Sequence, residues 1–158
     1  MAARIGRGSR RCLFVYLEDV DESGRVTYVT EGTLRLLQRK VSTATTPYKQ
    51  FIPYHSFRKK DASPVVPGEL MELKFGLLPT SMLFKKGHRI RVAVAGHDKS
   101  VFARTPSTGT PTISIERSKR HASFIELPVM RRAAGPVAPV NLLTSAPAPT
   151  PAAKPPTP

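Results

Sequence analysis

The 158-residue chain has no tryptophan, a single cysteine (Cys12), and only 7% aromatic residues. One cysteine can form neither an intramolecular disulfide nor a cysteine metal site, so the sequence carries no sign of an oxidising compartment. Acidic residues are scarce too, 11 against 25 Lys and Arg, for a formal net charge of +14. Long apolar runs are missing. The longest near the start, Cys12 to Leu17, stops at Glu18, short of the roughly 7–15 residues of a signal-peptide core. Nothing approaches the ~18 apolar residues that a membrane-crossing helix needs. The expectation is a soluble product with no export signal, cytoplasmic by default and without a membrane partner.

What the sequence does have is period-two alternation, between residues 12 and 127. In Leu13 to Leu17 both faces are apolar, as in a strand buried on two sides. Asp21 to Gly24 reads as a turn and Val26 to Thr30 as the returning strand, so the pair predicts a hairpin. Thr33 to Leu37 is a further short strand. From Val41 to Pro67, four prolines and the scattered aromatics Tyr48, Phe51, Tyr54 and Phe57 predict a long loop whose aromatics pin it onto a sheet. Alternation resumes at Met71, Leu73, Phe75 and Leu77. A turn at Lys85 to Gly87 leads to a strand with Ile90, Val92 and Val94 inward and Arg89 and Arg91 outward. Thr112 to Glu116, with Ile113 and Ile115 inward, and Ser123 to Val129 complete about seven short strands.

No helical periodicity exceeds two turns, so the fold class is all-β, a sandwich. The flanks differ in composition. Residues 1–11 hold four arginines and no acid, while residues 12–127 carry 18 basic and all 11 acidic residues. Nine of the 16 prolines fall at or after Pro128. The expected organisation is a basic leader (1–11), the sandwich (12–129) and a disordered Pro/Ala-rich tail (130–158).

Catalytic patterns are hard to find. A hydrolase nucleophile elbow is written G-x-S-x-G, and neither Ser81 nor Ser100 has the required glycines. His97-Asp98 has the residue types of a base and its orienting acid, but neighbours on a strand or tight loop point apart, and no nucleophile completes a relay. His55, His88 and His121 show no ligand spacing, so no metal site is read from them. No glycine-rich phosphate loop precedes a helix, and no cofactor is implied. The basic runs Arg58-Lys59-Lys60, Lys85-Lys86 and Arg117 to Arg120 fall at strand ends and turns. They read as solvated edge charges rather than a continuous nucleic-acid face.

Four blocks resemble one known family. They are Phe14 to Arg35; Pro67-Gly68-Glu69 with Leu77 to Ser81 and Phe84 to Val92; His97-Asp98, Phe102 to Arg104 and Ser107 to Gly109; and Ser123 to Val129. In order and spacing they are similar to the C-terminal, non-catalytic jelly-roll domain of X-Pro dipeptidyl-peptidase and cocaine-esterase-type serine hydrolases. The resemblance implies a galactose-binding-like jelly roll, with the Ser-His-Asp relay on a preceding α/β-hydrolase domain. That domain is the implied partner, in cis or from a neighbouring frame, and no catalytic residue lies in this chain. Family members enter the jelly roll through one or two strands before the position of Phe14. Here Met1 to Arg11 stand in that place without alternation, so the chain reads as N-terminally shortened.

The expected docking surface comprises Tyr48, Phe51, Tyr54 and Phe57 from the long loop, with Asp98, Phe102 and Arg104. Arg104 suits an interfacial carboxylate, or else pairs with Asp98 inside its own loop. Two other function classes stay open at this level. Carbohydrate binding would rely on Tyr48, Tyr54 and Phe57 in the absence of tryptophan, and nucleic-acid binding on the basic runs with aromatic stacking.

Overall fold

A computed structural model of the chain describes residues 1–6, 12–103 and 112–130. Six strands and three short 3-10 turns are found there: β1 (Ala2–Ile5), β2 (Cys12–Val20), β3 (Val26–Arg35), β4 (Leu70–Glu72), β5 (Arg89–Ala95) and β6 (Ile113–Ile115). They form two antiparallel sheets of three, ordered β4-β1-β6 and β3-β2-β5, and all lie within the compact unit Met1–Ile125. The fold is an all-β sandwich, as the alternation predicts.

The β3-β2-β5 sheet is built on the expected hairpin. Asp21 forms its corner, with Oδ1 accepting from the backbone N–H of Ser23 and of Arg25. Gly24 supplies the left-handed residue at φ +86°. The two segments expected as separate strands after this turn are one continuous strand. Pairing runs from Cys12–Arg35 to Val20–Val26, with a single shift at Leu17/Glu18 that leaves Val29 as the extra residue of a bulge. The apolar-apolar run of β2 is accounted for: Leu13, Val15 and Leu17 face the second sheet, Phe14 faces the other way, and all four are buried.

The leader is where the structure departs furthest from expectation. Ala2–Ile5 is not outside the sandwich. It is the central strand of the β4-β1-β6 sheet, with Ala3 opposite both Met71 and Ile115. Ala3 and Ile5 are fully buried in one apolar cluster with Leu13, Val15, Leu34, Leu36, Val65, Met71 and Leu73. Met1 extends the ladder, its amino group donating to the Leu73 carbonyl while its own carbonyl accepts from Leu73 N–H. Alternation is hard to see here because the strand is four residues long and Ala carries little hydrophobic signal. Arg4 faces outward and donates to the Gly68 carbonyl.

Two further expectations change. Burial alternates from Met71 to Lys74, with Phe75 and Leu77 partly buried against the same cluster, but the ladder proper stops at Glu72 and the chain continues extended, so that Gly76 to Leu78 pass over β3. At Ser123–Val129 no strand forms. Lys119–His121 is a 3-10 turn, and the Ser123 hydroxyl binds the backbone at Ala2 and Glu116 in place of a ladder. Phe124 is exposed among the described residues, and Pro128 lacks the N–H that a ladder would use.

The buried position of β1 makes a prediction. Ile5→Ala removes side-chain volume from the centre of the core and should cost about 2–5 kcal/mol. Leu83→Ala, at an exposed site, should fall within about 0.5 kcal/mol of the parent. Urea unfolding followed by circular dichroism distinguishes them, and equal midpoints would place β1 outside the cooperative core.

Candidate docking site

The aromatic loop rests on the strand-like segment that follows β4. Ile52 packs directly on Gly76, where a Cβ would lie only 2.3 Å from the isoleucine side chain. Gly76 in turn lies against Gly32 of β3, where a Cβ would come within 2.5 Å of the Gly76 carbonyl oxygen. Only glycine allows three layers of chain to stack this closely. His55 is the second fastening. It is buried, with Nε2 2.9 Å from the Lys74 carbonyl and Nδ1 3.1 Å from the Lys40 carbonyl. The Arg39 guanidinium is the third, donating to the carbonyls of Leu36, Ser63 and Pro64.

These fastenings hold up a set of exposed apolar groups. Phe51 is 100% exposed and Phe57 63%, and Tyr48 and Ile52 are exposed beside them. Tyr54 is half-buried and lines a hollow of about 310 Å³ with Lys40, Val41, Ser56, Arg58, Lys60 and Asp61. Phe57 sits at φ 53°, the left-handed region, the only non-glycine among the described residues to do so. Such a conformation in a residue with a Cβ costs on the order of 1 kcal/mol and persists only where the surroundings impose it. Here they do: Ser56 Oγ accepts from Arg58 N–H and donates to Asp61 Oδ2 at 2.6 Å, closing a tight turn that turns the ring outward. The Ser56 hydroxyl, then Lys40, hold the Asp61 carboxyl below its usual range.

Asp98 and Phe102 rest on a different support, the outer face of β2. The Phe102 ring lies 4.9 Å from that of Phe14, tilted by 53°. Both Asp98 oxygens are engaged within the domain. Oδ1 accepts from Ser100 Oγ and N–H, and Oδ2 accepts from Tyr16 OH at 2.7 Å. Ser100 and Tyr16 lower the Asp98 carboxyl to about 2. Burial, and then the bond to Asp98, push the Tyr16 phenol well above its ordinary range. Asp98 thus orders its loop. Arg104 lies outside the described residues. Among the candidate residues, then, the structure groups Tyr48, Phe51, Tyr54 and Phe57 on one loop, and Asp98 with Phe102 on another.

One pairing escapes sequence reading altogether. Asp19, buried on the core-facing side of β2, accepts from His88 Nδ1 at 2.8 Å. The two are 69 residues apart, and only the β2–β5 register, which sets Asp19 opposite Ile90, brings them together. The geometry matches a base with its orienting acid, yet among the described residues no hydroxyl or thiol is hydrogen-bonded to His88. His97, the histidine singled out by its neighbour Asp98, takes no part in the Asp98 hydrogen bonds.

The family model for the X-Pro dipeptidyl-peptidase C-terminal non-catalytic domain matches residues 8–127. The chain belongs to this family. Strands β2 to β6 fall inside the matched span of the X-Pro dipeptidyl-peptidase C-terminal domain, and β1 precedes it. Two proteins named putative serine esterase, one from Mycobacterium bovis and one from Mycobacterium tuberculosis, are each 55% identical over 118 residues. The alignments cover 75% of this chain but 19% of each relative, so the chain spans about a fifth of their length. No solved structure matches.

The Asp98 arrangement predicts a pH dependence. Its carboxyl ionises at about 2 in the folded chain, below the ~3.9 of an unfolded aspartate. Its stabilising contribution is therefore full above about pH 4 and lost as pH falls toward 2. Nuclear magnetic resonance of the Phe102 and Tyr16 rings should show the loop loosening across that window. Asp98→Asn should abolish the transition, and a transition that survives the substitution would assign it to another group.

Proposed function

We propose that this chain is the accessory sandwich of an ester- or amide-cleaving serine hydrolase, packing on an α/β-hydrolase domain and framing the entrance to its active site. The observation that carries this reading is the match of a domain described as non-catalytic over residues 8–127. It is supported by 55% identity over 118 residues to proteins named putative serine esterase, of which those 118 residues are 19%. In this reading bond cleavage belongs to the partner domain, and the chain supplies shape and apolar surface.

The docking surface in this proposal is the Tyr48–Phe57 loop. Its aromatics are exposed, its backbone is strained at Phe57, and its underside is fastened by His55, Ile52 and Arg39. That combination presents rigid apolar groups at little further ordering cost, which is what an interface anchor needs. Lys49, Arg58 and Lys59 flank the aromatics and favour a partner surface bearing carboxylates. Phe102 adds a second, smaller apolar contact, and Arg104 follows it in sequence.

The test uses the Mycobacterium tuberculosis relative lacking its own matching 118 residues. The purified chain alone should not hydrolyse p-nitrophenyl esters or aminoacyl-proline anilides above buffer. Added to the shortened relative, it should bind and raise ester hydrolysis. The double variant Phe51→Ala, Phe57→Ala should weaken that association by at least ~10-fold, the scale of two interface anchors, with its unfolding midpoint little changed. Turnover by the chain alone refutes an accessory role. Association undisturbed by the double variant moves the interface elsewhere.

A further inference from the structure

The β3-β2-β5 sheet ends in an edge that is unusually ready to pair. β5 runs seven residues in unbroken register with Phe14–Val20 of β2, without bulge or proline. Among the described residues no strand pairs with its other side. Natural edges are usually blunted by shortness, bulges, proline or inward-pointing charge. β5 is neither short, bulged nor interrupted by proline, and the charge it carries, Arg89 and Arg91, lies on the outer face only, leaving its inner row uncharged.

Its two faces carry different information. On the core-facing side Ile90 is 51% exposed and Val92 43%, although Leu17, the β2 partner of Val92, is 4% exposed. The expectation that both point inward is correct in direction, but the second sheet does not reach them. On the outer side Arg91 is held by Glu18 Oε2 at 2.5 Å and remains half exposed, and Arg89 is exposed opposite Val20.

We infer that the open edge of β5 is a docking site for an extended strand of another polypeptide, β-branched at the positions that extend the Ile90–Val92 row and carboxylate-bearing at those beside Arg89 and Arg91. Main-chain hydrogen bonds to a free edge supply affinity without regard to sequence, and the alternating side chains then select register and partner. An apolar row covering Ile90 and Val92 removes from water the apolar surface that the second sheet leaves bare. A carboxylate row gains opposite-charge pairs across the ladder, where lysines would be repelled. A second copy of the chain fits less well. Antiparallel pairing of two β5 strands about Val92 would set Arg91 opposite Ala93 and Arg89 opposite Ala95, so no charge pair forms. This site is separate from the aromatic loop and does not rest on the accessory-domain reading.

The experiment uses the full chain and a capped peptide of sequence TVEVEVT, with amide hydrogen exchange read residue by residue. Saturating peptide should slow exchange of the outward amides of Arg89–Ala95 while leaving the Tyr48–Phe57 loop unchanged. TVKVKVT, with lysine for glutamate, should bind at least ~10-fold more weakly, since each cross-strand pair turns from attraction to repulsion. Ile90→Lys and Val92→Lys, at half-exposed sites, should each reduce binding with the rest of the exchange pattern intact. No slowing at saturation, or equal binding of the two peptides, overturns the proposal. A dimer in sedimentation that Val92→Lys dissolves would likewise overturn it, by assigning the edge to a second copy.

Discussion

The structure depends on closing two three-stranded sheets over one small apolar cluster, and the strand that closes it is the shortest in sequence signal. β1 contributes Ala3 and Ile5 to the centre of the core and pairs with both β4 and β6. With three strands a side, each sheet has a single interior strand, so the second sheet has no alternative axis. The small side chain of Ala3 lets the sheets approach, and Leu13, Leu34, Leu36 and Leu73 fill the space around it. Core packing at this density tolerates little loss of volume.

That closure also positions the candidate surface. Ala3 and Met1 hold the Met71–Leu73 segment in register, the chain runs on to Gly76, and Ile52 and His55 fasten the aromatic loop to that extension. The exposed rings of Phe51 and Phe57 are therefore coupled to the core through three short links: a ladder, a glycine stack and a histidine between two carbonyls. A loop interrupted by four prolines would otherwise have no reason to keep its aromatics in one place. Rigid presentation of apolar groups on an apparent loop is a consequence of what lies beneath it.

Much of this is legible in the sequence, for identifiable reasons. The β2–β3 hairpin is visible because β-branched runs flank a Gly-containing turn, and β5 because Arg and aliphatic residues alternate without interruption. The long loop shows in its prolines and aromatics, and the family blocks lie in order along the chain on either side of it. What was hidden has a physical cause in each case. β1 is too short and too rich in alanine and arginine to show period two. Ser123–Val129 has the alternation of a strand but no neighbour to pair with among the described residues. The fastening by His55 and the Asp19–His88 pair join positions 15 to 69 apart, and nothing local marks them. The loop aromatics were expected to pin the loop onto a sheet, whereas Ile52, His55 and Arg39 do so and Tyr48, Phe51 and Phe57 stand exposed; Asp98 proves to be occupied by Tyr16 and Ser100, a partnership that only the sheet face reveals.

The Asp19–His88 pair has a bearing on anything that comes to lie over the inner side of β5. Asp19 is the direct cross-strand neighbour of Ile90, so the oily row there is terminated by a polar boundary one residue wide. A purely aliphatic cover can advance over Val92 and Ile90 at no electrostatic penalty, but beyond Ile90 it begins to strip water from the His88 imidazole that is bonded to Asp19. It must then either stop or bring a hydrogen-bonding group of its own. The far limit of such a layer is thus written into the sheet by two polar side chains, independently of how greasy the rest of it is.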